Sequence, residues 1–177
     1  MHGSDSLGSY KREHDFWFAG EEPTQRPMQT TAVLDNCTLC LIKPHIQKEG
    51  NTGKVLDMIL QAGFEISAME MFNLSRAVVE EFMDVYKGVL PEYLPIVENL
   101  SGGPVIALEI RQQNAVATFR ELCGPHDPEI ARHLRPETIR AKFGLDRVRN
   151  AIHCTDMPED GTLEVQYFFQ LLQKHQF

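Results

Sequence analysis

Apolar positions recur along the chain in an order that predicts strands alternating with helices. Cys37 to Ile42 is a continuous apolar segment that ends at Lys43 and Pro44, which is typical of a short buried strand. In the next segment, Thr52 to Ala62, apolar residues return at helical spacing, and Gly63 follows it. The pattern therefore predicts a strand followed by a helix.

The same alternation continues toward the C-terminus. Phe64 to Phe72 alternates loosely enough to predict a half-buried strand, and Ser75 is the predicted N-cap of a helix with an apolar stripe. A second short helix is predicted from Tyr93 to Leu100. The remaining predicted elements are a strand, an amphipathic helix, a strand and a terminal helix, at Val105 to Ile110, after Asn114, near Ala151 to Cys154 and from about Thr162 to Gln173.

This order of elements predicts an α/β (α+β) protein with a ferredoxin-like sandwich, a four-stranded antiparallel sheet with helices on its faces. A doubly wound parallel sheet is the alternative. That fold would place a glycine-rich phosphate loop directly after the first strand. The residues from Lys43 to Ile46 contain no glycine, so the antiparallel sandwich is favoured.

Composition and charge narrow the classes of function. The chain has 177 residues, 42% of them hydrophobic, and a net charge of -8, which disfavours binding to nucleic acid or to anionic lipid. Its apolar segments are much shorter than the roughly 20 residues that span a bilayer. The first residues lack the pattern of a secretory signal, so we expect a cytoplasmic protein without a membrane span.

Charge is distributed unevenly along the chain. Eight basic and five acidic residues lie between Arg111 and Arg149, although acidic residues dominate the chain as a whole. Such a segment forms either a solvated surface or a pocket for a small anion. Composition by itself favours the surface.

The cysteines do not predict a metal site. Cys37 and Cys40 form a C-x-x-C motif, but residues three apart on a strand point to opposite faces. Cys123 and Cys154 do not form the second pair that a tetrahedral site requires. We therefore expect free, partly buried thiols and no metal held by protein side chains.

An internal repeat predicts the domain organisation. Residues from His2 to Phe18 resemble residues from His153 to Phe169 at a constant offset, with Glu13 corresponding to Glu164. Residues 1–18 are therefore predicted to be the C-terminal remnant of a preceding copy of one domain. Residues 19–35 are predicted to be a linker, and residues 36–177 the second copy.

The candidate chemistry centres on one histidine. His153 lies at a predicted strand end, three residues after Asn150, and Glu164 follows on the terminal helix. A carboxylate in contact with one ring nitrogen would leave the other nitrogen with a lone pair for attack. For so short a motif alone, a structural histidine is the simpler interpretation.

Five motifs in one register change that interpretation, because they resemble the nucleoside diphosphate kinases from about residue 36 to 169. They are TLCLIKPH at Thr38 to His45, SGGPV at Ser101 to Val105, FREL at Phe119 to Leu122, RPETIRAKFG at Arg135 to Gly144 and NAIHCTD at Asn150 to Asp156. The resemblance implies a phosphotransferase that moves the terminal phosphoryl group of a nucleoside triphosphate to a nucleoside diphosphate through a phosphohistidine.

The resemblance also implies roles for individual residues. His153 would carry the phosphate and Glu164 would hydrogen-bond its far nitrogen, while Mg²⁺ would bridge phosphate oxygens of the bound nucleotide. The nucleotide-binding residues would be those that contact the ribose and phosphates, together with an aromatic residue against the base: Lys43, Asn150, Arg120, Arg140 and Tyr93.

Some positions depart from the family pattern. Cys154 and Thr155 follow the histidine where the family usually has Gly and Ser. Three ligand-contacting positions are altered as well, at Met83, His126 and Arg147. Extra residues in the loop before Pro136, and a chain that stops at Phe177, argue against the family's common hexamer.

The two-copy layout most resembles the tandem-domain branch of the family associated with ciliary axonemes and centrosomes. That resemblance implies a location at the axoneme or centrosome and tubulin or other axonemal proteins as partners. The alternative to the enzyme is therefore a catalytically weakened, nucleotide-binding structural module of the axoneme or centrosome.

Overall fold

The computed structural model describes residues 3–18 and 30–172. Most of the predicted linker lies outside this part of the chain, and so does His2. The strands are β1 (Cys37–Ile42), β2 (Glu65–Phe72), β3 (Val105–Arg111) and β4 (Ile152–Cys154). The helices are α1 (Leu7–Phe18), α2 (Pro44–Lys48), α3 (Thr52–Gln61), α4 (Arg76–Phe82), α5 (Tyr93–Ser101), α6 (Ala115–Cys123), α7 (Pro128–Leu134), α8 (Ile139–Phe143) and α9 (Gly161–Gln166).

The four strands form one sheet in the order β2-β3-β1-β4, and each neighbouring pair is antiparallel. This arrangement confirms the ferredoxin-like sandwich and is incompatible with the parallel alternative. In the register of the edge strand β4, His153 lies opposite Leu41 and Cys154 lies opposite Cys40. The histidine therefore lies at one edge of the sheet, beside a central strand.

Hydrophobic side chains pack on both faces of the sheet, which explains why all six residues of β1 are buried. Cys37, Leu39 and Leu41 belong to the cluster on one face, whereas Cys40 and Ile42 belong to the cluster on the other. The prediction that Cys37 and Cys40 point to opposite faces is thus confirmed. All four cysteines are free and buried.

Local signals in the sequence specify some element ends. The Ser75 side chain accepts a hydrogen bond from the Val78 backbone N–H, which confirms the predicted N-cap of α4. Asn114 precedes α6 with a left-handed backbone, φ at 55°, and its side chain makes no capping hydrogen bond.

The terminal helix departs from the single α-helix predicted over Thr162 to Gln173. It is α-helical to Gln166 and continues as a π-helix over Tyr167–Leu172. A π turn contains more residues than an α turn, so successive side chains rotate less about the axis. Phe168 and Phe169 consequently both pack edge-on against Phe72 and are buried.

Short 3₁₀ turns occur at Asp84–Tyr86 and Pro158–Asp160. Among the described residues, none of the helices combines the length and apolar character needed to cross a lipid bilayer.

Candidate active site

A cavity of about 220 Å³ lies beside β4. Its wall has an apolar part and a polar part. The apolar side chains are those of Met83, Leu90, Ile96, Leu100 and Ile152. The polar and ionisable side chains are those of Lys43, Tyr86, His126, Arg140, Asn150, His153, Cys154 and Asp156. The structure therefore brings Lys43, Arg140, Asn150 and His153 together at one cavity.

The His153 ring is held on one side by a carboxylate. Its Nε2 lies 3.0 Å from Oε2 of Glu164, and the ring packs edge-on against Phe82 with centroids 5.2 Å apart. Burial lowers the pKa of His153. The neighbouring Glu164 carboxylate raises this pKa by a larger amount, so the net shift is upward. In the neutral ring, Nε2 donates to Glu164 and Nδ1 keeps its lone pair.

Glu164 is itself held in place by Thr155, the residue that follows β4. Its Oε2 accepts a second hydrogen bond from the Thr155 hydroxyl at 3.0 Å. The Leu39 N–H donates to the same hydroxyl oxygen at 3.3 Å, which fixes Thr155 against β1. Thr155 thus positions Glu164, a role that the sequence did not reveal because it depends on a contact between α9 and the residue that follows β4.

A backbone turn brings Asn150 and His153 to the same cavity. Ala151, directly before β4, has a left-handed backbone with φ at 75°. The turn is closed by the Ile152 N–H, which donates to the Asn150 carbonyl at 3.0 Å. The Lys43 N–H donates to the Ala151 carbonyl at 3.0 Å. Because this bond joins the start of α2 to the start of β4, Lys43 and Asn150 are held at neighbouring points of the cavity wall.

Two buried basic side chains line this cavity in an acidic chain. Lys43 is 3% exposed and donates to the Val148 carbonyl at 2.7 Å, and Arg140 is 7% exposed and donates to the Gly124 carbonyl at 2.9 Å. Burial, together with the charge of Arg140, lowers the pKa of Lys43 to about 7. An anion in the cavity would relieve this repulsion and stabilise the charged lysine.

Several buried polar atoms at the cavity have no hydrogen-bond partner among the described residues. Asn150 Nδ2 donates to the backbone carbonyl and to Nδ1 of His126, so the proton of neutral His126 lies on Nε2. This Nε2 and the Nε of Arg140 are buried donors without an acceptor. Unpaired buried donors are unfavourable, and phosphate oxygens would supply the missing acceptors.

Arg120 lies next to the cavity rather than in its wall. Its Nη1 forms an ion pair with Asp156, and the same nitrogen donates to the Thr155 carbonyl at 3.4 Å. The Tyr86 hydroxyl donates to the other carboxylate oxygen of Asp156 at 2.6 Å. Burial raises the pKa of Asp156, but the hydrogen bond from Tyr86 and the charge of Arg120 lower it overall. To bind a phosphate, Arg120 must therefore either break its ion pair with Asp156 or contact Asp156 and the phosphate at the same time.

The contact of Tyr93 with a nucleotide base stays a prediction, and the structure packs Tyr93 into the hydrophobic interior. Tyr93 is 8% exposed, belongs to a hydrophobic cluster, and its hydroxyl donates to the Glu80 carbonyl at 3.5 Å. It does not line the cavity. The aromatic residue in the wall is Tyr86, which lies on the 3₁₀ turn after α4 and was missed because the register of this loop cannot be read from the sequence.

The altered positions fall in different parts of the site. Met83 contributes to the apolar wall, and His126 provides the buried Nε2 donor. Arg147 is instead engaged by acidic side chains, with Nη1 2.8 Å from Glu92 and Nε 3.9 Å from Asp127. Its charge is thus largely compensated outside the cavity.

Comparisons with known proteins identify the family of the chain. A family model described as Nucleoside diphosphate kinase matches residues 36–173. The protein named Nucleoside diphosphate kinase homolog 7 from Rattus norvegicus is 57% identical over 174 residues, which cover 97% of this chain and 43% of the relative. Its namesake from Mus musculus is 56% identical over the same share of each chain. The chain therefore spans less than half the length of these two curated relatives.

Shorter relatives match most of their length. The nucleoside diphosphate kinase of Aquifex aeolicus is 39% identical over 136 residues, which cover 77% of this chain and 95% of that protein. A crystal structure of the Aquifex aeolicus enzyme superposes with a TM-score of 0.73 at 38% identity, covering 78% of this chain and 97% of that chain. On the family match and on these likenesses in sequence and fold, the chain belongs to the nucleoside diphosphate kinase family.

Proposed function

We propose that this chain transfers the terminal phosphoryl group of a nucleoside triphosphate to a nucleoside diphosphate, with His153 as the phosphate carrier. The contact that carries this proposal is the 3.0 Å hydrogen bond between His153 Nε2 and Glu164 Oε2. Because Nε2 is engaged there, Nδ1 is the nitrogen with a lone pair available to phosphorus.

In the first half of the reaction, Nδ1 attacks the terminal phosphorus and the bond from phosphorus to the bridging oxygen breaks. The nucleoside diphosphate then leaves with the bonding electrons, and Glu164 stabilises the proton that stays on Nε2. In the second half, a phosphate oxygen of another nucleoside diphosphate attacks the phosphorus of the phosphohistidine, the bond from phosphorus to Nδ1 breaks, and Nδ1 recovers its lone pair. Lys43 and Arg140 neutralise negative charge on the transferring group, the main contribution that a protein makes to phosphoryl transfer.

Mg²⁺ fits the site as a companion of the nucleotide. Among the described residues, no group of three or more His, Cys, Asp or Glu side chains is arranged to hold a metal ion. Asp156 is the carboxylate in the cavity wall and would be the protein's candidate ligand beside the phosphate oxygens. When bound, the ion would neutralise phosphate charge.

A phosphoenzyme experiment tests the assignment of His153. Brief exposure to ATP labelled at the terminal phosphate should give acid-labile label on the chain, and His153→Ala should abolish it. His133→Ala is the matched control, because His133 is exposed on α7 and its Nδ1 contacts the Glu129 carbonyl. Persistent label in His153→Ala would overturn the assignment.

A second candidate function rests on the Arg120–Asp156 ion pair. This ion pair engages Arg120, a predicted phosphate-binding residue, away from the cavity. Met83, an altered ligand-contacting position, lies in the cavity wall. The chain would then be a nucleotide-binding module with weak or no transfer. In the labelling experiment, this function predicts nucleotide binding without phosphoenzyme. In buffer without Mg²⁺, Asp156→Asn would be expected to increase nucleotide affinity by freeing Arg120.

We also propose that α1 belongs to the end of a preceding copy of the domain. The Ser4 hydroxyl donates to Glu13 Oε2 at 2.6 Å, and the Thr155 hydroxyl donates to Glu164 Oε2 at 3.0 Å. The two contacts join residues that correspond at the offset of the sequence repeat. The recurrence of one local contact supports a shared origin for the two segments.

Location and partners form the last part of the proposal. We infer from the sequence resemblance that the whole protein acts in the cytoplasm at the ciliary axoneme or centrosome, with tubulin or other axonemal proteins as partners. Cosedimentation of the chain with assembled microtubules tests the tubulin contact. Recovery of the chain in the supernatant at micromolar tubulin would contradict it.

A further inference from the structure

Lys43 is buried in the cavity wall and donates to a neutral acceptor. It is 3% exposed, and its Nζ donates to the Val148 carbonyl at 2.7 Å. In the described part of the chain, Lys43 takes part in no ion pair, whereas Lys142 pairs with Glu137 at 2.8 Å. A buried amine without a carboxylate partner favours its neutral form.

The neutral form of Lys43 has a lone pair on Nζ. Burial, and after it the charge of Arg140, lowers the pKa of Lys43 to about 7, so most of this side chain is uncharged in mildly alkaline solution. Neutral lysine amines attack carbonyl carbons and form imines, which charged ammonium groups cannot do. The proposed phosphoryl transfer uses Lys43 for its charge and gives this nucleophile no role.

The wall around Lys43 also offers unused hydrogen-bond donors for a phosphate. The Nε of Arg140 and the Nε2 of His126 are buried and have no acceptor among the described residues, and both side chains line the same cavity. Burial, and after it the charge of Arg140, lowers the pKa of His126 to about 4, so His126 donates without adding a charge. A ligand that satisfies the whole wall therefore needs both a phosphate and an electrophilic carbon.

We propose that Lys43 forms a reversible imine with small aldehydes that carry a phosphate group, and that Arg140 and His126 bind this phosphate. The cavity of about 220 Å³ accommodates a small molecule of this kind. The other lysines at described and exposed positions, Lys48, Lys54, Lys87 and Lys142, do not line the cavity. Only a lysine in the cavity wall brings an aldehyde and a phosphate site together.

The reaction balances without an oxidant or a reductant. The lone pair of Nζ attacks the aldehyde carbon, the carbon–oxygen π bond opens, and one proton moves from nitrogen to oxygen to give a carbinolamine. The carbinolamine hydroxyl takes a proton from solvent and leaves as water while nitrogen forms the second bond to carbon. One amine, one aldehyde and one proton therefore give one protonated imine and one water.

The cavity stabilises the protonated imine that this reaction forms. Its nitrogen keeps one hydrogen, so the hydrogen bond to the Val148 carbonyl can remain. Its positive charge lies beside the phosphate of the same ligand, which offsets the repulsion from Arg140. The phosphate therefore increases the amount of imine at equilibrium, in addition to holding the aldehyde in the cavity.

Competition with nucleotide rests on the proposed function. A nucleotide in the cavity occupies the phosphate donors and favours the ammonium form of Lys43, which has no lone pair for the aldehyde. Bound nucleotide therefore suppresses the imine, and an aldehyde held on Lys43 excludes nucleotide.

The imine is tested on the full chain with glyceraldehyde 3-phosphate, and with glyceraldehyde as the matched aldehyde without a phosphate. After incubation in mildly alkaline buffer, borohydride reduces the imine to a stable amine that peptide mass spectrometry locates. We expect the adduct on Lys43, on the order of tenfold more of it from the phosphorylated aldehyde, which corresponds to about 1.4 kcal/mol. Lys43→Met should lose this adduct, and Lys48→Met, at the exposed end of α2, should keep it.

The comparison of the two aldehydes uses the unaltered chain, so it does not depend on the folding of a variant. Equal labelling of Lys43 by both aldehydes, or an adduct confined to exposed lysines, overturns the proposal.

Competition is tested by adding ATP before glyceraldehyde 3-phosphate, with ATP affinity measured separately by calorimetry. ATP at about ten times its dissociation constant should lower the Lys43 adduct on the order of tenfold. ATP that binds without lowering the adduct overturns the shared cavity. A chain that binds no ATP, yet forms the Lys43 adduct with the expected preference for the phosphorylated aldehyde, overturns the proposed function instead and supports the imine.

Discussion

Glu164 accepts hydrogen bonds from both His153 and Thr155 on a single carboxylate oxygen. We expect Glu164→Gln to slow phosphorylation of His153 by roughly 10 to 100-fold, because the amide raises the basicity of the ring less than the carboxylate does. Nucleotide affinity should be nearly unchanged, since Glu164 does not line the cavity. Rapid-quench labelling measures the rate, and equilibrium titration measures the affinity.

Glu159→Gln is the matched control for this variant, because Glu159 lies on the preceding 3₁₀ turn and is exposed. It should phosphorylate at the unaltered rate. Equal rates in Glu164→Gln and in the unaltered chain would remove Glu164 from the reaction.

Lys43 should take up a proton when nucleotide binds. Its pKa is lowered to about 7 by burial and by Arg140, so the side chain is largely neutral at pH 8 in the empty cavity. Phosphate charge beside it favours the ammonium form and raises the pKa. We therefore expect uptake of up to about one proton per bound nucleotide at pH 8, a value that falls as the pH is lowered toward 6.

Calorimetry in buffers of different ionisation enthalpy measures this uptake directly. Lys43→Met should lose most of it, whereas Lys48→Met, at the exposed end of α2, should not. Unchanged proton uptake in Lys43→Met would show that another group binds the proton.

At the scale of secondary-structure elements, Glu109 ties the segment before β1 to the middle of the sheet. This carboxylate is fully buried in β3 and accepts from the N–H groups of Val33 and Leu34 at 2.7 and 2.6 Å, and from the Ser67 hydroxyl at 2.5 Å. We expect Glu109→Gln to lower the free energy of unfolding by about 1 to 3 kcal/mol, because an amide cannot accept all three bonds.

Urea denaturation compares Glu109→Gln with Glu65→Gln. Glu65 lies on neighbouring β2, is 65% exposed and pairs with Arg111 at 3.2 Å, so its loss should change stability by less than about 1 kcal/mol. Similar effects of the two substitutions would show that the Glu109 contacts do not hold the segment.

The elements that could be predicted from the sequence are those with a long or sharply bounded apolar pattern. β1, α3 and α6 fall within a few residues of their predicted positions. The short helices α2, α7 and α8 were missed because five to seven residues do not show a helical period. Their ends depend on tertiary contacts, such as the Arg132 hydrogen bond to the Gly144 carbonyl.

The residues of the site also divide into those that could be predicted from the sequence and those that could not. Lys43, Arg140, Asn150 and His153 belong to motifs that resemble those of the nucleoside diphosphate kinases, so the resemblance implies that they share one site. Tyr86 and Thr155 act through partners far along the chain, at Asp156 in one case and at Leu39 and Glu164 in the other. Such contacts follow from the packing of elements, which single-sequence patterns do not encode.

At the scale of the whole molecule, the cavity is formed by one part of the chain. All its lining residues lie between Lys43 and Asp156. We therefore expect a chain that starts at residue 25 to bind nucleotide as the full chain does, with the same urea midpoint. A chain that starts at residue 36 should bind nucleotide but unfold at lower urea, because the contacts of Thr31, Val33 and Leu34 are lost.

Titration with a fluorescent nucleotide and urea denaturation distinguish these two shortened chains. Lost affinity in the chain that starts at residue 25 would show that the N-terminal segment contributes to the site. Equal urea midpoints in both would show that residues 30–35 add nothing to stability.

The position of β4 in the sheet has a consequence for motion. Of the four strands described, β4 is the shortest, and it pairs only with β1. A short edge strand separates from its neighbour by local opening more readily than a central strand does. The phosphate-carrying histidine proposed here thus lies on the least constrained strand of the sheet, and its contacts with Glu164 and Phe82 on the helices restrain it. A bound nucleotide that contacts both His153 and Lys43 would further reduce the amplitude of this opening.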